Sequence, residues 1–253
     1  MKVVLLVAGK GRRLNNITKN SHKSLIKLDE YTLLEHLIEN FIFAGLTDFV
    51  PVVGHCSEQV LSCLNKKYSK EISVNPVYNS KYNESNNLYS LYMAKDILKN
   101  EDFIVCNADV IINREILLGM RNKSPNASLI AIDDFDYPAP IDSPGISMNN
   151  NTISDLGRHI PFKIKKGYAI GVYRFNKELS KVFFNEAKKL LDQNMEAGFH
   201  DPLQKLFNKH PIYKYSVQGY DWMDIDTFSD IDKARNMHQK IISKYKKINK
   251  IIK

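Results

Sequence analysis

An apolar run that halts on a glycine-rich, cationic turn opens this chain. Val3 to Ala8 carry no polar side chain, and Gly9-Lys10-Gly11-Arg12-Arg13 follows directly. The run reads as a buried strand. The turn reads as a place where backbone N–H groups approach an anion, because glycine lets the chain come close and consecutive amides form a nest. Lys10, Arg12, Arg13 and, ten residues on, Lys23 add the positive charge that a polyphosphate demands.

The rest of the chain must build a sheet around that strand. Short apolar runs alternate with amphipathic segments, the sign of βαβ units. Residues 32–44 read as a helix. Thr32 and Glu35 make a capping box, Leu33, Leu34, Leu37, Ile38 and Phe41 recur at helical spacing, and Gly45 ends it. DFVPVVG (48–54) reads as a strand in which Pro51 marks a bulge or an end. A helix over 57–68, a strand EISVNPVY (71–78) and a helix capped by Ser85 follow, then strands DFIVCNAD (102–109) and ASLIAID (127–133). Residues 133–157 are crowded with Asp, Pro, Asn and Gly and read as a loop-rich excursion. KGYAIGVYRF (166–175) returns to the sheet. Helical segments at 177–191 and 201–208, a strand and turn over 212–226, and a last helix from Thr227 complete the chain. The expected class is α/β: a Rossmann-like, mixed but mostly parallel sheet flanked by helices. Ligands in such sheets sit beyond the carboxyl ends of the strands. That rule places Gly9–Arg13, Asn107–Asp109 and the segment after Ser216 on one rim.

At 253 residues and 43% hydrophobic content, the chain supports one large domain, residues 1–239, with a basic helix end or tail at 240–253. No run approaches the roughly 20 apolar residues of a membrane span. The first apolar segment is too short for a signal peptide, so a cytoplasmic protein without membrane insertion is expected. Cys56, Cys63 and Cys106 lack paired spacing and read as free thiols. Of the net charge of +8, six charges are lysines of the tail. The body is nearly neutral and does not argue for a nucleic-acid partner, and the tail reads as a solvated, fraying helix end.

The opening turn is neither of two familiar phosphate motifs. GxGxxG needs a third glycine where Leu14 stands, and GxxxxGK[ST] is absent. The histidines show no zinc-site spacing. Asp109 closes an apolar strand, as a turn former or a metal ligand. Asp224 and Asp226 share one side of an extended segment, and Asp226 also suits the cap of the last helix. Asn86 and Asn87, at a helix start, suit a nucleobase or phosphate as well as a cap.

Taken together, LVAGKGRRL followed by HKSL resembles the L-A-A-G-x-G-x-R-L and P-K-x-L signature of the nucleotidyltransferase superfamily that activates sugar phosphates and choline phosphate. Val7 stands where that signature has alanine, and His22 where it has proline. NNLYSLY (86–92) is similar to a segment of the choline-phosphate cytidylyltransferases within it. The resemblance implies a nucleotide-diphospho-sugar-transferase-like fold whose excursion receives the acceptor. It implies transfer of CMP from CTP to a small phosphorylated non-sugar acceptor with release of pyrophosphate. Nucleotide contacts fall to Leu6, Ala8, Gly9, Lys10, Gly11, Arg12, Arg13, Lys23, Asn79, Ser85, Asn86 and Asn87. Arg13, on the leaving phosphates, and Lys23, near the α-phosphate, are the catalytic pair. Acceptor contacts fall to Asn87, Tyr89, Arg158, Tyr168, Tyr173, Asp201 and Trp222. Mg2+ is the implied cofactor, on Asp109, Asp226 and Asp224.

Phosphoglutamine, phosphocholine and aminoethylphosphonate are the acceptor types the resemblance brings, for surface polysaccharide or lipid decoration, and a homodimer is compatible with it. A sugar-1-phosphate nucleotidylyltransferase is the first alternative. A glycosyltransferase using Asp224-Ile225-Asp226 as a DxD motif is the second, although that motif falls late in the chain and leaves the Gly/Arg turn unexplained. A non-catalytic nucleotide- or RNA-binding module is the third.

Overall fold

The computed structural model describes residues 1–134 and 143–251. The opening strand β1 (Lys2–Val7) lies inside the main sheet, parallel to β2 (Asp48–Val53) on one side and to β5 (Phe103–Asn107) on the other. Beyond β2 come two short parallel pieces, β3 (Ser73–Val74) and β4 (Val77–Tyr78). Beyond β5 come β10 (Tyr168–Phe175), β7 (Ser128–Asp133) and β11 (Ile212–Ser216), in that order. Of these β10 alone runs antiparallel to its neighbours, so the sheet is mixed and mostly parallel, as the sequence predicts.

Helices cover both faces. Val3, Leu5 and Val7 pack with α2 (Leu33–Phe43), α3 (Ser57–Tyr68) and α6 (Arg114–Asn122) on one face. Val4 faces the other layer, with α4 (Asn87–Met93), α5 (Lys95–Leu98), α7 (Lys177–Leu191) and α8 (Asp201–Gln204). Each large aliphatic or aromatic side chain buried there contributes about 1.5–3 kcal/mol of transfer free energy. Beside β1, the one-turn helix α1 (Asn15–Thr18) closes the glycine turn, and α9 (Phe228–Ile251) packs Ile231, Ala234, Ile241 and Tyr245 onto Leu14, Leu28 and Leu33. The lysine-rich segment therefore begins inside α9, with Ile241 and Tyr245 buried. Lys240 and Lys244 both reach Asp221.

Local signals place most elements. Both bonds of the Thr32–Glu35 capping box are present, and Gly45 takes φ +68° just after the helix. Pro51 causes no bulge, because the β1–β2 register runs through it without a shift. Its missing N–H falls in the gap between β3 and β4, where no ladder partner is needed. That same gap splits the expected strand at 71–78 in two at Pro76. The cap of α4 is Asn86 rather than Ser85, whose hydroxyl instead donates to the Lys81 carbonyl. The helix expected over 201–208 is regular only for Asp201–Gln204.

The expected loop excursion also holds a hairpin, β8 (Gly145–Asn149) with β9 (Thr152–Gly157), joined to β10 at Tyr168. Residues 135–142 of that excursion lie outside the described residues. A two-stranded ribbon, β6 (Val110–Ile112) with β12 (Trp222–Asp224), lies beside the main sheet. No described helix is long and apolar enough to cross a membrane.

Two buried histidines tie these parts together. His36 on α2 pairs with the Ile112 carbonyl of β6 and packs edge-on against His238 of α9, with ring centroids 5.2 Å apart. Burial, then His238, lowers its pKa to about 3. Burial, then His55, lowers that of His22 to about 4. An unfolded histidine takes up its proton below about pH 6.5. These rings do so only at about 3 to 4, so their contribution is complete above pH 6.5 and falls as the pH drops from there toward 4. Each histidine costs up to about 1.4 kcal/mol per pH unit in that window. We expect the melting temperature to fall by several degrees from pH 7 to pH 5, less steeply in His36→Gln. A pH-independent melting temperature would contradict this.

Candidate active site

The parallel strands aim their carboxyl ends at one rim, and the glycine turn lies on it. Gly11 takes φ +61°, a conformation that L side chains rarely adopt, and its carbonyl accepts from Leu14 N at 2.8 Å and Thr18 Oγ1 at 3.1 Å. The chain thereby reverses over α1 and brings Lys23 back under the turn.

Lys23 is the centre of the site. Its Nζ lies 3.0 Å from Asp109 Oδ2 and 3.1 Å from Asp226 Oδ1, and its side chain is 11% exposed. Burial opposes the charge. Asp109 and Asp226 outweigh burial and raise the pKa, so the ammonium stays protonated across the physiological range. Arg13 takes the other oxygen of Asp226 at 2.8 Å.

The β6–β12 ribbon explains how two distant aspartates meet. Asp109 immediately precedes β6, Asp226 follows β12, and Ile225 N donates to the Asp109 carbonyl at 2.8 Å. Asp224 ends β12 opposite Val110. Packing, then Asp109 and Asp226, raises its pKa, and its solvent-open edge limits the size of that shift.

Two cavities meet at this point. The first, about 340 Å³, is walled by Leu6, Ala8, Gly9, Gly11, Arg12, Arg13, His22, Lys23, Tyr82, Ser85, Asn86 and Asn87, among others. The second, about 640 Å³, is walled by Arg158, Tyr173, Trp222, Asp224, Asp133, His200 and others. Arg13, Asn87, Asn107, Asp109 and Asp226 line both. In the second, Trp222 Nε1 donates to Asp133 Oδ2 at 2.6 Å, and the Tyr173 hydroxyl lies 2.7 Å from His200 Nε2. Burial leads the lowering of the His200 pKa to about 4, so this ring is neutral.

Five expected contacts lie off both walls. Lys10 lines an adjoining recess, its Nζ 5.9 Å above the Tyr82 ring. Asn79 is buried, and its amide donates to Ser90 Oγ at 2.9 Å and Ser85 Oγ at 3.2 Å, so it braces the wall from behind. Tyr89 packs against the α4–α7 layer, because its helical position faces that core. Tyr168 is buried, with Lys165 Nζ 5.1 Å above its ring. Asp201 accepts from Gly198 N at 2.7 Å and fixes the turn that enters α8.

The structure adds Asn107 and Asp133 to the walls, residues that sequence reasoning passed over as contacts. Asn107 had a signal: it ends an apolar strand two residues before Asp109. Gly171, at φ +81°, makes room for it, since a Cβ there would meet the Asn107 side chain at 2.9–3.2 Å. Asp133 had none, because only tertiary structure brings it to the rim.

Carboxylate oxygens at the junction of the two cavities are the donors that a hard divalent cation takes. Among the described residues no cluster of three or more such groups is drawn together as a ready-made metal cage. Asp109 and Asp226 instead close on the Lys23 ammonium, which fits an ion that takes its remaining ligands from substrate phosphates and water.

The pattern of the nucleotidyl transferase family matches residues 2–133, and the chain belongs to that family. It is 39% identical over 100 residues to the choline-phosphate cytidylyltransferase of Streptococcus pneumoniae, covering 40% of this chain and 42% of that one. It is 24% identical to the CTP:phosphoglutamine cytidylyltransferase of Campylobacter jejuni, over 92% of this chain and 98% of the other. The chain spans about half the length of the first curated relatives it matches. The solved inositol-1-phosphate CTP transferase of T. maritima has the same fold, with a TM-score of 0.81 over 95% of both chains at 18% identity.

Proposed function

We propose that the chain is a cytidylyltransferase that moves CMP from CTP to a small phosphorylated, non-sugar acceptor and releases pyrophosphate. The observation that carries this reading is the shared wall: two cavities meet where Asp109 and Asp226 grip the Lys23 ammonium. The first holds the nucleotide and the second the acceptor. Relatives named for CTP and for phosphocholine, phosphoglutamine or aminoethylphosphonate support the choice of partners.

An acceptor phosphate is already an anion near neutral pH, so no side chain need remove a proton from it. One of its oxygens bonds to the α-phosphorus of CTP, and the bond from that phosphorus to the bridging oxygen breaks. Pyrophosphate leaves with the electron pair. The protein contributes position and charge. The turn amides of Gly9–Arg13 and the Arg13 guanidinium face the leaving phosphates, and the Lys23 ammonium faces the α-phosphate. Mg2+ is proposed to sit on Asp109 and Asp226 with Asp224 beside them, and it supplies positive charge to phosphate oxygens when bound. Carboxylates of Asp133 and Asp224 beside Arg158 suit an acceptor that carries both signs of charge.

The test is pyrophosphate release with four nucleoside triphosphates against phosphocholine, phosphoglutamine, aminoethylphosphonate and glucose 1-phosphate. Turnover with CTP and a non-sugar acceptor is expected. Turnover with UTP or dTTP and glucose 1-phosphate would establish the sugar-1-phosphate alternative, whose enzymes share the fold.

A further inference from the structure

His22 stands beside the catalytic lysine, where the sequence departs from the signature it resembles, and the mechanism above gives it no part. It is 4% exposed and lines the first cavity. Its two ring nitrogens differ. Nδ1 accepts from Ser24 N at 3.1 Å, and Ser24 Oγ lies 2.8 Å from the same atom. A neutral ring that accepts at Nδ1 carries its proton on Nε2. Burial keeps the ring neutral, with a pKa of about 4. Yet Nε2 is buried and has no hydrogen-bond partner. The Gly9 backbone favours the charged ring, but no acceptor meets hydrogen-bond geometry at Nε2. A buried N–H left without an acceptor is costly, and the ring that carries this one lines the first cavity.

We infer that His22 Nε2–H is a donor held for an acceptor oxygen of the bound nucleotide, which makes His22 a nucleotide-binding residue. The inference rests on the first cavity being the nucleotide site. It separates two jobs of one ring: Nδ1 caps the turn that presents Lys23, and Nε2 reads the ligand.

Two amides divide those jobs. In His22→Asn, Oδ1 takes the place of Nδ1 and keeps the cap, but nothing reaches where Nε2 was. In His22→Gln, the amide nitrogen reaches that place and the cap is lost. CTP affinity, measured by calorimetry without acceptor, is expected to weaken about tenfold in His22→Asn and to stay within about threefold of wild type in His22→Gln. Wild-type protein labelled with 15N-histidine should show the Nε2 resonance of His22 moving when CTP is added, a change that a capping role alone does not produce. A shift with cytidine places the acceptor on the nucleoside, and a shift with pyrophosphate alone places it on a phosphate. Wild-type CTP affinity in His22→Asn, equal losses in both variants, or an unmoved Nε2 resonance in CTP-bound protein would overturn this inference and leave the proposed function standing. Failure of wild-type protein to bind any nucleoside triphosphate would overturn both.

Discussion

Lys23→Ala is expected to leave a folded protein that turns over at least about a hundredfold more slowly, the loss seen when one preorganised charge facing a transition state is removed. Among the described residues the ammonium is the single group that touches both aspartates at the junction of the cavities. Its removal leaves Asp109, Asp226 and Asp224 crowded, with Arg13 still on Asp226. Each of the two ammonium-bound aspartates keeps about a third of its side chain open to water, which screens the repulsion, so the stability cost is on the order of 1 kcal/mol. That shifts the melting temperature by a few degrees. Lys23→Arg retains the charge but brings a planar fork to a position built for a point charge, and should recover only part of the rate. Steady-state pyrophosphate release alongside a thermal melt separates these effects. A Lys23→Ala protein with near-normal kcat would show that this lysine is a scaffold residue.

Asp109→Asn and Asp226→Asn should each lower kcat by about a hundredfold or more and remove the response of the rate to Mg2+. Asparagine keeps the size of the side chain and removes the charge that a divalent cation and the Lys23 ammonium both need. The Asp226 variant should suffer more, because Asp226 also holds Arg13 at 2.8 Å. Asp224→Asn should cost less, since Asp224 lines only the second cavity and takes no part in the grip on Lys23. The measurement is rate against Mg2+ concentration in the presence of CTP, with a chelator as control. A wild-type rate indifferent to chelation would contradict the role given to the aspartates.

What could be read before the structure was the local chemistry. The apolar run and glycine turn, the Thr32 capping box, and the helices Ser57–Tyr68 and Lys177–Leu191 carry their signals within a few residues of themselves. What could not be read depends on distant pairing. The β6–β12 ribbon joins two three-residue strands far apart in the chain, each too short for a periodic pattern. The β8–β9 hairpin is hidden among Asp, Asn and Gly residues that signal loops as readily as turns. Aromatic positions misled for a related reason. Tyr89 and Tyr168 suit a ligand pocket by type, but Tyr89 packs half-buried against the helical layer and Tyr168 is buried on β10. Asn79 and Asp201 likewise serve the polypeptide, one bracing Ser85 and Ser90 and the other holding a turn. The site residues legible in advance were those whose neighbours in sequence are also their neighbours at the rim.

The central claim is that a phosphate in the second cavity is joined to the α-phosphate of a nucleotide in the first. Phosphorus NMR of a reaction holding CTP, Mg2+ and a phosphorylated acceptor reports this directly. The account predicts loss of the acceptor monoester signal, appearance of pyrophosphate, and a pair of mutually coupled diphosphate resonances. Consumption of CTP to CDP and free phosphate, with the acceptor signal unchanged, would contradict it.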